Sequence, residues 1–200
     1  MTDCDVFLAS RSPRRRQLLL QLGVCFQCLD LEINEQAKSG EAAADLVPRL
    51  ALEKARAGMV LAPGQQPVLG ADTEVVLDGE VLGKPADFAA AVTMLRRLSG
   101  REHLVYSAVA LAQQECAVLT SVTRVRFRTL AREEVENYCR AGEPFGKAGA
   151  YAIQGYAAAF IEYIKGSYSG VMGLPLFETA KLLSDFGIPM GTQGTATINT

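Results

Sequence analysis

Val6-Phe7-Leu8-Ala9-Ser10-Arg11-Ser12-Pro13-Arg14-Arg15-Arg16 decides how this chain is read. A short apolar run comes first, and Leu18, Leu19 and Leu22 continue at helical spacing after it. That order predicts a strand over 5–9, a tight loop over 10–12 and a helix over 13–22, closed by Gly23. Pro13 suits a first helical turn, where the N–H it lacks would have no partner. Open N–H groups and the positive end of a helix dipole meet at such a junction, which makes it a site for an anion. Ser10 and Ser12 add small hydroxyls, and four arginines fall within six residues. The stretch has what holding a polyphosphate needs, and nothing that would react with it.

The rest of the chain bounds what that anion is. Its 200 residues fit one domain or two lobes around a cleft, with 49% hydrophobic and 21% charged residues, ordinary for a globular protein. The net charge of −2 gives no global attraction to nucleic acid or to an anionic membrane, so the basic cluster is local and suits a small ligand. The arginine cluster also lacks the interleaved aromatic platform of a single-strand binder. No apolar run approaches the ~20 residues of a membrane span. Asp3 and Asp5 replace a basic leader segment, and five cysteines make an odd count, which together predict a reduced, cytoplasmic protein. Cys25-Phe26-Gln27-Cys28 has CxxC spacing but falls in a strand pattern rather than at a helix start, so metal or redox use is the weaker reading. His103, the single histidine, lies in an apolar strand pattern and reads as packed or surface-lying.

Further along, a second strand is expected near 24–31 and a polar stretch containing Glu35 follows it. A helix starting at Asp45, with Pro48 in its first turn, runs past Lys54. Pro67 to Thr73 reads as a strand ending in an acid, Asp72, and 74–82 as a hairpin on Asp78-Gly79. Lys84 follows in Gly83-Lys84-Pro85, before a helix capped by Asp87. Two long strands near 102–112 and 115–127, a helix over 131–141, a Gly-rich segment at 146–155, a hairpin-like stretch at 157–172 and a last helix from Pro175 to about 185 complete the domain, 1–189. The Gly/Thr/Asn-rich residues 190–200 read as a disordered tail. Helices alternate with strands and then strands pair directly, which predicts α/β architecture with a mixed sheet.

Asp72 is the candidate for the chemistry. Gly70 and Ala71 before it leave room for a substrate, and a carboxylate at a strand end can activate water or share Mg²⁺ with phosphate oxygens. Lys54 and Lys84 are candidate phosphate neutralisers. Glu35 is a second candidate metal ligand beside Asp72.

Six motifs then stand in order: Ser-x-Ser-Pro-Arg-Arg at 10–15, Glu-Lys-Ala at 53–55, Gly-Ala-Asp-Thr at 70–73, Gly-Lys-Pro at 83–85, Lys-Ala-Gly-Ala-Tyr-x-Ile-Gln-Gly at 147–155 and Gly-Leu-Pro at 173–175. In these the chain resembles the Maf family of nucleoside triphosphate pyrophosphatases over about residues 5–187. The resemblance implies a mixed, elongated sheet flanked by helices, two lobes around a central cleft, and kinship with inosine triphosphate pyrophosphatases. It implies hydrolysis of a nucleoside triphosphate to the monophosphate and pyrophosphate, with a divalent cation (Mg²⁺ or Mn²⁺), in a homodimer. Asp72 matches the proton acceptor, and Ser10 and Arg15, with Lys54 and Lys84, match the phosphate-holding positions. Arg14, Thr73 and Gln154 match the selectivity positions of the dTTP/UTP branch, whereas the other branch acts on 7-methyl-GTP. The Gln154 amide offers one donor and one acceptor to the O4 and N3–H of uracil or thymine. Gly146 stands where the family commonly has an acid. That departure supplies the alternative reading, a nucleotide-binding regulator of cell division with little turnover.

Overall fold

The computed structural model describes residues 4–191 and the backbone of 198–199. In chain order the elements are β1 (Val6–Ala9), α1 (Pro13–Gln21), β2 (Phe26–Cys28), α2 (Ala43–Leu61), β3 (Val68–Leu77), β4 (Glu80–Val81), α3 (Phe88–Leu98), β5 (Glu102–Ala112), β6 (Cys116–Phe127), α4 (Arg132–Arg140), β7 (Ile161–Lys165), α5 (Tyr168–Met172), α6 (Leu176–Asp185) and β8 (Ile198–Asn199). They form one mixed sheet in the order β7-β6-β5-β3-β1-β2-β8, with β4 pairing β3. β1 runs parallel to β2 and β3, whereas β3, β5, β6 and β7 pair antiparallel in succession. This is the mixed sheet flanked by helices that the alternation of motifs predicts. Most of the tail expected to be disordered falls outside the described residues, but the backbone of 198–199 departs from that expectation, pairing with β2 as β8.

The opening unit forms as its sequence dictates. β1 is buried along its whole length, and Ser12 caps α1 by accepting from the Arg15 N–H, with Pro13 in the first turn. The Asp78-Gly79 turn is also as expected, with φ of 53° and 82° at its two central residues.

Four local expectations are corrected. β2 is shorter than 24–31. α2 begins at Ala43 rather than Asp45, which places Asp45 inside the first turn and Pro48 one turn further in. The strand that was to end at Asp72 instead runs unbroken to Leu77, because β5 pairs with it from Val68↔Ala112 to Val76↔Leu104. The stretch 157–172 is not a hairpin: a 3-10 turn at Tyr156–Phe160 leads into β7, which pairs with β6, and Ser167 then caps α5.

Strand alternation sorts the long central strands into two faces. On β5, Ala108, Ala110 and Ala112 meet Val47, Ala51 and Ala55 of α2. Val105, Val109 and Leu111 instead join the larger core with Leu95, Leu98, Leu182 and Leu183 from α3 and α6. Small residues on the first face let α2 approach the sheet closely. At Gly70 a Cβ would lie 2.3 Å from the Ala51 carbonyl oxygen and 2.5 Å from the Ala55 nitrogen. Helix backbone therefore rests directly on strand backbone at Gly70, and this contact sets where Lys54 arrives.

Candidate active site

β1 ends at Ala9, paired with Gly70, while β3 continues beyond it. The gap left beside β3 is the floor of a cleft of about 810 Å³. Ser10, Arg14, Arg15, Glu35, Lys54, Asp72, Thr73, Lys84 and Gln154 all line it. Asp72 thus reaches the carboxyl end of a parallel strand as expected, though the strand that ends there is β1 and not its own.

Asp72 pairs with Ala108 and Glu74 with Tyr106, which puts both acids on the face that α2 covers. Lys54 descends from α2 onto that face. Its Nζ lies 2.7 Å from Asp72 Oδ1 and 2.6 Å from Glu35 Oε1, and Lys84 Nζ lies 3.1 Å from Glu35 Oε2. A chain of alternating charge results, Lys84–Glu35–Lys54–Asp72. Burial alone would raise the Glu35 carboxyl, but the two lysines outweigh it and hold it at about 2.

Glu74 is a residue that motif reasoning missed. Its carboxyl lines the cleft, and burial, with Asp72 beside it, pushes it up to about 7. Oε2 of Glu74 and Oδ2 of Asp72 are both buried without a hydrogen-bond partner among the described residues. The signal was present in the sequence: two acids two residues apart on one strand must share a face.

Thr73 faces the other way. Its hydroxyl is 2.8 Å from Ser107 Oγ and donates to the Gly173 carbonyl at 3.3 Å. Arg15 Nε donates to the same carbonyl at 2.8 Å, and its Nη1 reaches Ser10 Oγ at 3.5 Å. Burial lowers the Arg15 and Arg14 guanidinium groups from their ordinary value, and for Arg15 the charges of Asp72, Glu35 and Glu74 oppose that fall. Arg14 Nε is buried without a partner among the described residues. Lys147, also in the wall, donates to the carbonyls of Glu143 and Phe145 at 2.5 and 3.3 Å. Cations of α1 and the Gly-rich segment therefore stand around a cleft whose acids come from β3 and the loop before α2.

One expectation about the opening loop changes. The Ser12 N–H donates to Ser10 Oγ at 3.1 Å and the Arg15 N–H to Ser12 Oγ at 3.4 Å. Two of the backbone groups expected to face an anion are thus occupied, and guanidinium groups carry more of that task. Arg11 is spent on exposed pairs with Asp30 and Glu32.

The remaining candidates settle outside the chemistry. His103 is packed, with Nε2 2.9 Å from Tyr151 Oη, and burial pushes it down to about 4. Burial raises the Cys28 thiol, the opposite of what a reactive cysteine needs. Gly146 lines the cleft at a φ of 71°, with open space where a side chain would project. No helix among the described residues is long and apolar enough to cross a membrane.

Known proteins resemble this chain in sequence over most of its length. The chain is 53% identical over 192 residues to a Bordetella pertussis protein named dTTP/UTP pyrophosphatase, covering 92% of this chain and 93% of that one. It is 52% identical over 186 residues to an Escherichia coli O157:H7 protein of the same name, covering 91% and 93%. Among solved structures, the Staphylococcus aureus Ham1 protein overlays 90% of this chain and 96% of its own with a TM-score of 0.49 at 15% identity. The family description Maf-like protein matches residues 5–186, and the chain belongs to that family.

Proposed function

We infer that this chain hydrolyses dTTP, UTP and modified pyrimidine nucleoside triphosphates to the monophosphate and pyrophosphate. The observation that carries the reading is the Asp72 carboxylate, held through Oδ1 by Lys54 with Oδ2 lacking a hydrogen-bond partner among the described residues, in a cleft also lined by Arg14, Arg15 and Lys84. The names borne by relatives about half identical to it supply the substrate class.

Arg14, Arg15, Lys54 and Lys84 neutralise the triphosphate, and Ser10 braces Arg15. Asp72 Oδ2 accepts a proton from a water as that water attacks the α-phosphorus in line, and pyrophosphate leaves from the opposite side. Arg14, Thr73 and Gln154 fall where the family sets base preference, and of these the exposed Gln154 amide is the group free to meet the Watson–Crick edge of the base.

A divalent cation, Mg²⁺ or Mn²⁺, belongs to the same reading. The described residues hold no cluster of three or more metal-ligating side chains. The fit is instead that of a cation arriving with the nucleotide, since Mg²⁺ takes one or two carboxylates together with phosphate oxygens and water. Glu74 Oε2, buried beside Asp72 and without a hydrogen-bond partner among the described residues, is the oxygen that would suit it, whereas both Glu35 oxygens already accept from lysines. When bound, the cation supplies charge to the α- and β-phosphate oxygens. A single cytoplasmic domain over 1–189, acting as a homodimer, completes the reading.

Incubating pure protein with dTTP, UTP, CTP and 7-methyl-GTP in the presence of Mg²⁺, with product identification, tests it. Monophosphate and pyrophosphate from dTTP and UTP are expected. Release of orthophosphate, or binding of dTTP with no pyrophosphate formed, overturns it, and the second result favours the regulatory alternative.

A further inference from the structure

Gln154 lies in a short loop held after it by the Glu143 carboxylate and before it by Tyr138, whose hydroxyl donates to that carboxylate. Glu143, in the turn after α4, accepts from the Tyr156 N–H through Oε2 at 3.1 Å and from the Ala157 N–H through Oε1 at 3.5 Å. Its Oε1 also accepts from Tyr138 Oη at 2.9 Å, and that same hydroxyl accepts from the Ala152 N–H at 3.3 Å. The chain is therefore fixed two residues before Gln154 and two to three residues after it. Gly155, next to Gln154, makes the seat: a Cβ there would lie 2.2 Å from Glu143 Oε1. Burial and the neighbouring Glu143 raise the Tyr138 hydroxyl far above its ordinary value, which keeps it a donor to the carboxylate at every working pH. Ala152 and Ile153 are buried while Gln154 is exposed, and the Gly155 N–H donates to the Ala152 carbonyl at 3.0 Å, so the loop turns tightly around Gln154, which lines the cleft with Tyr151 and Ala152.

We propose that Glu143, with Tyr138, is a positioning residue for base selectivity: it holds the Gln154 amide in the one orientation that matches the O4 and N3–H edge of thymine and uracil. The inference rests on the reading of Gln154 given above. Neither Glu143 nor Tyr138 is among the groups placed on the phosphates or the attacking water, so the clamp acts on which base is accepted and not on the bond that breaks. A pair of amide hydrogen bonds discriminates only if the donor and acceptor are held in place before the base arrives; a loose amide can rotate to suit a cytosine edge as well.

The test compares kcat and KM for dTTP and CTP in wild type, Glu143→Gln, Tyr138→Phe and Gln154→Ala, with thermal unfolding of each. Tyr138→Phe keeps the ring that packs edge-on to Phe160 at 5.0 Å and stacks near Tyr156, and removes only the hydroxyl relay. Gly155→Ala is a second route to the same end, since it displaces the carboxylate without deleting it. The expected result is a fall of about tenfold in the dTTP:CTP ratio of kcat/KM, the size of losing one charged hydrogen bond, carried by KM for dTTP with kcat nearly unchanged. Glu143→Asp, one methylene shorter, recovers part of the ratio. Unchanged selectivity in the clamp variants alongside lost selectivity in Gln154→Ala overturns the clamp alone. A parallel fall in kcat for every nucleotide also overturns it, by assigning Glu143 a general structural role. Unchanged selectivity in Gln154→Ala itself overturns both the clamp and the reading of Gln154 beneath it.

Discussion

Lys54 Nζ lies 2.7 Å from Asp72 Oδ1, and both side chains are more than nine-tenths buried. Taking two charges out of water is costly, and the pair is held there by the close seating of α2 on β3 rather than by its own attraction. Its partners are unequal. Lys54 has a second acceptor in Glu35, whereas the Asp72 carboxylate has only Lys54 as a cationic hydrogen-bond partner among the described residues. Lys54→Met therefore leaves a buried carboxylate unpaired and is expected to cost about 3–5 kcal/mol of stability. Asp72→Asn leaves the lysine a carboxylate partner and is expected to cost clearly less, while lowering kcat by roughly 10²–10⁴ through loss of the proton acceptor. Urea unfolding and pyrophosphate release measured on the same two variants check both halves. Equal destabilisation, or full turnover in Asp72→Asn, contradicts the assignment.

Gly70→Ala separates the packing cause from the chemical effect. The added methyl meets the Ala51 carbonyl and the Ala55 nitrogen, both backbone atoms that no rotamer change can move. α2 must lift from β3, and Lys54 lifts with it. A loss of about 1–3 kcal/mol is expected from the overpacking, together with a drop in kcat out of proportion to it. A variant destabilised to that extent but fully active would show that the Lys54–Asp72 contact is not needed for turnover.

The two perturbed glutamates act on stability in opposite pH windows. Glu74 titrates at about 7 in the fold against 4.5 unperturbed, so between those values the folded chain holds more protons than the unfolded one. Its contribution is complete below pH 4.5 and is lost as pH rises to about 7. Glu35, held at about 2, contributes fully above pH 4.5 and loses that contribution as pH falls towards 2. In protein free of nucleotide and metal, Glu74→Gln should flatten the decline between pH 4.5 and 7 and leave the acid limb in place. Glu35→Gln should do the reverse, by a smaller amount because that side chain is 43% exposed and screened by solvent. Unfolding midpoints across pH 3–8 for the three proteins decide it.

Strand, helix and turn chemistry make most of this architecture legible in the sequence. Ser12-Pro13 marks a helix start, Asp78-Gly79 a tight hairpin, and Ser10, Arg14, Arg15, Lys54, Asp72, Thr73, Lys84 and Gln154, all singled out by motif, share one cleft with Glu35. What was not legible has a common physical cause in tertiary pairing. β3 runs straight through Asp72 because β5 pairs with it from Val68 to Val76, and within 157–172 the strand β7 pairs with β6 instead of folding back on its own segment. The same cause hid Glu74, whose perturbation depends on what covers its face, and Glu143, whose role depends on a loop 13–14 residues further on closing over it. Thr73 shows the limit from the other side. Its motif marks it for selectivity, but its hydroxyl is spent on Ser107 and the Gly173 carbonyl, so any influence on the base passes through that turn.

Arg15 gives the sharpest contrast with Gln154. Its guanidinium spans the Gly173 carbonyl through Nε and Ser10 Oγ through Nη1, and in the proposed reaction its remaining donors would meet phosphate oxygens. Lysine keeps the charge but is a point donor, and cannot hold the turn and the phosphate in one geometry. The triphosphate is common to every substrate, so Arg15→Lys should raise KM for dTTP, UTP and CTP by the same factor, about tenfold for one charge-assisted hydrogen bond. The dTTP:CTP ratio should stay at its wild-type value. Variants of Gln154 should shift that ratio instead, and steady-state kinetics on the three nucleotides resolves the two behaviours. If Arg15→Lys changed the ratio as well, the Gly173 turn would be coupling phosphate and base recognition, and Thr73→Val, which loosens the same carbonyl, would have to change it in the same direction.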